Sequence, residues 1–176
     1  MWGGIAGQEI ADKLADLPAP PELGEAELAD ARAHVNEILA RKGDQDLYAL
    51  RQELRSAMDK HVGVYRSGEG LTTALETIRD IQERALRAPV EDKSRVYNSN
   101  LFHALELENL LELAEVTVVG ALARQESRGA HSRRDFTTRD DEGWLRHTLA
   151  WRTDAGPRLD YKPVTITTWK PVERKY

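Results

Sequence analysis

Apolar residues recur every three or four positions through most of the first 125 residues, and that spacing predicts helices. Ile5, Ile10 and Leu14 set the pattern over 2–16, where Gly3, Gly4 and Gly7 suit a helix end packed closely on a neighbour. Leu17-Pro18-Ala19-Pro20-Pro21 stops it, because proline lacks a backbone donor and clashes with the preceding turn. An extended, stiff linker is expected there. Helical spacing resumes at about 25–42 (Leu28, Ala31, Val35, Ile38), with Gly43 as its stop. The next stretch, about 46–66, sets Leu47, Leu50, Leu54, Met58 and Val62 on one side, and Asp44 or Asp46 can cap it. Ser67-Gly68-Glu69-Gly70 reads as a turn. Leu71, Leu75, Ile78, Ile81 and Ala85 define a helix over about 71–87, ended by Pro89. The last helical stretch, about 99–125, carries Leu101, Leu105, Leu110, Leu113, Val116 and Val119. It has further apolar residues off that stripe, so cover on two sides is expected.

Beyond residue 125 the period changes. Strand-forming residues flank Asp154-Ala155-Gly156-Pro157, which predicts a hairpin over 145–152 and 158–168. Pro163 makes the second strand an edge or interrupts it. The tail from Trp169 to Tyr176 is expected to be extended. Three long helices with short connections favour a mainly α fold: an antiparallel three-helix bundle, spectrin-repeat-like, with a C-terminal β-hairpin and extended tail. The helix at 25–42 either joins the bundle or leads into it. The expected organisation is an N-terminal helix and linker (1–19) and a helical domain (20–176), with the bundle at about 25–127 and the hairpin and tail at about 128–176.

Composition narrows the function. The chain has 176 residues, the size of one domain or one domain with an appendage, and 40% apolar with 31% charged residues fits a soluble, helix-rich protein. No window approaches the roughly 18 apolar residues of a membrane-spanning helix. The first residues lack the basic-then-apolar order of a secretory signal. There is no cysteine, so disulfides, zinc–thiolate sites, iron–sulfur ligation and thiol catalysis are excluded within the chain. No strand–glycine-loop–helix unit, HExxH, GxSxG or clustered carboxylate pair occurs, and the five histidines are scattered. No catalytic, cofactor-binding or metal-ligating residue is therefore assigned. A formal charge of −5 argues against a nucleic-acid partner.

Positive charge is nonetheless concentrated. Residues 123–148 read ARQESRGAHSRRDFTTRDDEGWLRHT, with six arginines and two histidines. Gly129 can take the left-handed conformation that ends a helix, and Arg128 offers a fork of donors suited to carboxylate or phosphate. Arg124, Arg128 and His131 can also simply complement a helix C-terminus, where a cation is favoured by roughly 0.3–1 kcal/mol. Arg133, Arg134 and Arg139 alternate with Asp135, Asp140, Asp141 and Glu142, a pattern of ion pairing that opposes phosphate binding. Such networks gain little when exposed and matter when a partner surface dries them. Trp144 and Trp151 likewise call for something to pack on. A charged docking surface at the far end of a bundle follows, with Arg124, Glu126, Ser127, Arg128, His131 and Arg133 as its candidate residues.

The strip also resembles a known family. Ala123 to Arg133 (ARQESRGAHSR) and Arg139 to Leu149 (RDDEGWLRHTL) look like the C-terminal part of the succinate dehydrogenase and fumarate reductase flavoprotein subunit. Leu50 to Met58, Val62 to Arg66, Asn98 to Leu113, Leu159 to Val164 and Arg174-Lys175-Tyr176 resemble the same family, so the likeness covers most of 20–176. Residues 2–16 are loosely similar to the small-residue helix closing its flavin domain, from which Met1-Trp2 departs. L-aspartate oxidase shares an ESRG-type stretch and is an alternative, as is a stand-alone helical interaction module. The resemblance implies a parent that oxidises succinate to fumarate with FAD and passes electrons to an iron–sulfur subunit. This chain would be its C-terminal domain, with no cofactor of its own and inactive alone. Its implied partners are the parent's flavin-binding and capping domains and the iron–sulfur subunit, not nucleic acid. The implied location is cytoplasmic, peripheral on the inner face of the plasma membrane. Arg128 and His131 receive a docking role toward the flavin domain by the same resemblance.

Overall fold

The computed structural model describes residues 2–22 and 24–172. Its contacts divide the chain into two compact units, Met1–Asn36 and Glu37–Tyr176. The division falls inside a helix, beyond the proline run where the sequence places a linker.

The first unit holds α1 (Trp2–Lys13), a 3-10 turn (Leu14–Asp16), the extended proline run, and most of α2 (Glu25–Ala40). Every residue of α1 is exposed, Trp2, Ile5 and Ile10 included. A Cβ placed on Gly3, Gly4 or Gly7 would meet nothing within 4 Å, so the close packing expected at these glycines does not occur. Met1 lies outside the described residues.

The second unit runs α3 (Leu47–His61), β1 (Tyr65–Arg66), α4 (Gly68–Ala85), α5 (Ser99–Ala123), β2 (Ser132–Arg133), α6 (Asp141–Trp144), β3 (Arg146–Trp151) and β4 (Arg158–Pro163). Each long helix starts where a side chain accepts a backbone N–H that the helix leaves without a partner. Asp46 accepts from Tyr48 and Ala49, Ser67 from Gly70, and Asn98 from Leu101. The stretch Ser67–Gly70, expected as a turn, is instead the cap and first turn of α4. Glycine at 68 serves close approach: a Cβ there would lie 2.9 Å from an Asp135 carboxylate oxygen. Gly43 likewise does not cap α2, which ends at Ala40. A Cβ on it would fall 2.2 Å from the Arg87 carbonyl oxygen.

Helices α3, α4 and α5 each contact the other two. Ile38, Leu50, Leu71, Ile78, Ile81, Leu107 and Val118 fill the space between them, essentially without solvent exposure. Side chains of this size each contribute about 1.5–3 kcal/mol through burial. The expected two-sided cover of α5 is only half met. Its second apolar face, Phe102, Leu110 and Leu113, stays exposed. A groove of about 650 Å³ lies there, lined by Leu54 and Met58 of α3 and Leu110 and Leu113 of α5.

Strands β3 and β4 form the antiparallel hairpin, with Arg146 opposite Pro163 and Trp151 opposite Arg158. The second strand stops at Pro163 rather than reaching 168, because proline cannot continue the ladder. Residues 173–176 of the expected extended tail, including Arg174-Lys175-Tyr176, lie outside the described residues. The sequence pattern did not predict the parallel pair β1–β2, which sets Tyr65 beside Ser132 and Arg66 beside Arg133. Among the described residues no helix is long and apolar enough to cross a membrane, and no group of three or more His, Asp or Glu could hold a metal ion.

Candidate docking site at the arginine strip

Helix α5 ends at Ala123, and its last carbonyls have no partner within the helix. Arg133 supplies one. Its Nη1 donates to the carbonyls of Ala121 (2.8 Å), Leu122 (3.2 Å) and Arg124 (3.4 Å). Its Nε and Nη2 donate to the two oxygens of Asp135, at 2.7 and 2.8 Å. Asp135 in turn accepts from the Gly68 N–H at the start of α4, at 2.9 Å. A cation therefore sits at one helix C-terminus and an anion at the neighbouring N-terminus, the favourable sense for both dipoles. Arg133 is 3% exposed. Its guanidinium first, then the Gly68 N–H, hold the Asp135 carboxyl far below the usual carboxylate range.

Glu126 is the second centre, and it is fully buried. One carboxylate oxygen accepts from Arg124 Nη1 (2.7 Å) and Arg128 Nε (2.8 Å). The other accepts from Arg128 Nη2 (3.0 Å) and the Asp140 N–H (2.9 Å). Burial alone would push this carboxyl up, but Arg128, the Asp140 N–H and Arg124 together hold it below its ordinary value. Glu126 first, then Asp141, raise Arg128 in return. Arg124 reaches further, donating to the carbonyls of Trp144 (3.0 Å) and Arg146 (2.7 Å), and so ties the hairpin to the end of α5.

Ser127 and His131 hold the chain between these two centres. Ser127 Oγ donates to the Phe136 carbonyl (2.7 Å) and accepts from the Arg133 N–H (2.8 Å). Arg128 and His131 exchange backbone hydrogen bonds across Gly129 and Ala130, a two-residue reverse turn with φ of +58° at Gly129. So Gly129 serves this turn, not the end of α5. Arg66 donates from Nη1 to His131 Nδ1 at 2.7 Å, and His131 Nε2 lies 3.0 Å from the Arg124 carbonyl. An arginine can only donate and a carbonyl can only accept, so His131 is neutral with its proton on Nε2. Burial, and then the charges of Arg66, Arg133 and Arg124, keep its pKa below the usual histidine value.

All six residues singled out in the sequence thus fall in one network. Glu126 and Arg133 point inward, while Arg128 and His131 line a pocket of about 420 Å³ with residues of the hairpin. The alternation of arginine with aspartate resolves into ion pairs: Arg133 with Asp135, and Asp141 with both Arg128 and Arg139. Of the two tryptophans, Trp144 meets Tyr161 edge-on at 5.7 Å, whereas Trp151 remains half exposed.

This network, α4, α5 and most of α3 fall within a region, residues 51–176, that matches the family model "Fumarate reductase flavoprotein C-term". The chain belongs to that family. Over its whole length it is 38% identical to the fumarate reductase flavoprotein subunit of Mycobacterium tuberculosis (strain CDC 1551 / Oshkosh), covering 31% of that protein. It is 41% identical to the succinate dehydrogenase flavoprotein subunit of Rickettsia bellii, over 93% of this chain and 28% of the relative. A solved E. coli quinol fumarate reductase chain superposes on 96% of it with a TM-score of 0.86 at 34% identity, using 29% of that chain. This member of the flavoprotein C-terminal family thus spans under a third of the relatives it matches.

Sequence reasoning missed four contributors to the site in this family member: Arg66, Tyr161, Arg146 and the α4 N-terminus at Gly68. Arg66 stands in the Val62–Arg66 stretch already noted as similar to the family. Arg146 and Tyr161 likewise stand in the similar stretches Arg139–Leu149 and Leu159–Val164, whereas Gly68 carries no such signal; the partners of all three are brought in by tertiary packing.

Proposed function

We propose that this chain serves as the C-terminal helical domain of a flavoprotein subunit that interconverts succinate and fumarate with FAD. The parent is an oxidoreductase of electron transport and delivers electrons to an iron–sulfur subunit. It acts as a peripheral component on the cytoplasmic face of the membrane. The chain's part is to dock on the flavin-binding and capping domains. Supporting this is one observation above the others: the whole chain corresponds to one contiguous portion of flavoprotein subunits. The described residues do not fit FAD themselves. The two concavities described above lack the glycine-lined strand-to-helix turn that takes a pyrophosphate, and the one of about 650 Å³ is lined by Leu54, Met58, Leu110 and Leu113.

Within the strip, the roles divide by direction. Glu126, Ser127 and Arg133 hold the loop in shape, and Arg128 and His131 present the face that meets the partner domains. Expressed alone, the chain is expected to be colourless and without succinate or fumarate turnover. Joined to the flavin-binding and capping portion, it is expected in a yellow, active subunit. Flavin bound and turned over by the 176 residues alone would refute the assignment.

A further inference from the structure

We propose that Arg146 is a receptor for a carboxylate side chain presented by the parent's flavin-binding domain, an inference that rests on the docking role above. Arg146 opens β3 and its side chain lies between two rings. Its guanidinium carbon is 3.9 Å from the centroid of Tyr161 and 4.5 Å from that of Trp144. Those rings brace each other at an interplanar angle of 78°. The backbone beside it is fixed as well, since the Arg146 carbonyl accepts from Arg124 Nη2 at 2.7 Å.

What distinguishes Arg146 from its neighbours is the missing acid. Arg124 and Arg128 share Glu126, and Arg128 also has Asp141. Arg146 has no hydrogen bond or ion pair through its guanidinium among the described residues, and its Nε is buried with no acceptor. Buried donors are normally satisfied, because a donor that gives up water without a replacement loses a full hydrogen bond. The aromatic faces supply attraction for the charge but accept no hydrogen bond in the guanidinium plane.

The space in front suits one kind of occupant. Arg146 lines the 420 Å³ pocket with Arg128, His131, His147 and Val164, and no carboxylate lines it. An acid entering the pocket would meet the outer guanidinium nitrogens, Nη1 and Nη2, in the paired geometry that arginine favours. Held against both rings, the side chain has already lost part of the freedom that a solvated arginine would lose on binding. Arginine flanked by tryptophan and tyrosine is also the composition from which interfaces draw most of their affinity. A protein carboxylate fits better than nucleic-acid phosphate, since the chain as a whole is acidic, with a net charge of −5, and would repel an extended phosphate backbone.

The test uses the flavoprotein subunit that carries this domain, purified with its flavin, and reads hydrogen exchange of amides 144–163. Exchange in the wild-type subunit is expected to be at least tenfold slower than in the isolated chain. Arg146→Gln is expected to remove most of that protection. Val164→Glu keeps Arg146 but sets a competing carboxylate in the same pocket, and is expected to speed exchange at least fivefold. Protection within twofold of wild type in Arg146→Gln overturns the proposal and leaves the docking role standing. If Arg146→Gln does not fold, Val164→Glu decides by the same twofold limit. Wild-type exchange equal in the subunit and the isolated chain would refute the docking role and this inference together. Acetate and inorganic phosphate titrated into the isolated chain are expected not to bind saturably. Saturable binding lost in Arg146→Gln would assign the pocket to a free anion and overturn the domain contact.

Discussion

The bundle and the arginine strip are both dry inside, and they stay dry by different physics. Between α3, α4 and α5 the fully buried groups are apolar, among them Leu50, Leu71, Ile78, Ile81 and Leu107, and a buried acid, Glu115, sits nearer the edge with Arg79 and Gln82. Their stabilisation scales with apolar area and has no preferred direction. In the strip the buried groups are Glu126 and Arg133, which must meet donors and acceptors at fixed positions. Ions removed from water are costly unless every lone pair and proton is matched. A core of the first kind tolerates changes of shape better than changes of polarity. A core of the second kind tolerates neither, and it holds one arrangement.

The strongest way to sharpen this contrast is Glu126→Gln. The substitution is nearly isosteric, but an amide NH₂ then faces the donors of Arg128 or Asp140, and two arginines lose their anion. We expect a loss of about 3 kcal/mol in urea unfolding, the range for removing one partner of a buried pair. A loss under about 1 kcal/mol would mean that water already reaches Glu126, and the contrast would fail. Arg133→Met keeps the length and loses the charge. It leaves the carbonyls at the end of α5 and Asp135 without their donor, and about 2 kcal/mol is expected from the same measurement. In the bundle, Ile78→Val removes one methylene from a fully buried site and should cost about 1 kcal/mol. If Ile78→Val costs more than Glu126→Gln, the two regions have been ranked the wrong way round.

Acid provides the mildest probe. The folded pKa of His131 lies below its unfolded value, so its contribution is complete above about pH 6.5. It is lost as pH falls from there through the lowered folded value, because the unfolded chain takes up the proton first. Asp135 is also depressed, so its share is present above about pH 3.9 and declines below it. Protection of the amides at 126–135, taken relative to the intrinsic exchange rate at each pH, should therefore fall in two acid stages, while amides of α4 beside Ile78 and Ile81 should not follow the first stage. Equal loss of protection in both regions would show that the strip and bundle open as one unit.

The two regions also differed in how far they could be read from sequence. Helical spacing located α3, α4 and α5 because one buried stripe per helix leaves a period of its own, and Asp46 announced a cap. Ser67–Gly70 misled because glycine is a turn signal in isolation, whereas here Gly68 is small so that Asp135 can approach. The strip's composition marked it as unusual, and its alternating charges pointed to ion pairs. Its wiring was not legible. A two-residue strand such as β1 leaves no alternation to detect, and nothing in the sequence states that Arg133 will reach the end of α5 or that Arg146 will lie between Trp144 and Tyr161. Those partners are chosen by the helices, not by near neighbours in the chain.

The β1–β2 pair joins residues 65 and 66 to 132 and 133, with all of α4 and α5 looped out between them. Closing so long a loop is entropically unfavourable until the intervening helices have condensed. The pairing is therefore favoured only once those helices have condensed. A partner that gripped Arg128 and His131 in this arrangement would be selecting molecules whose helical interior is already complete, and recognition would double as an inspection of folding.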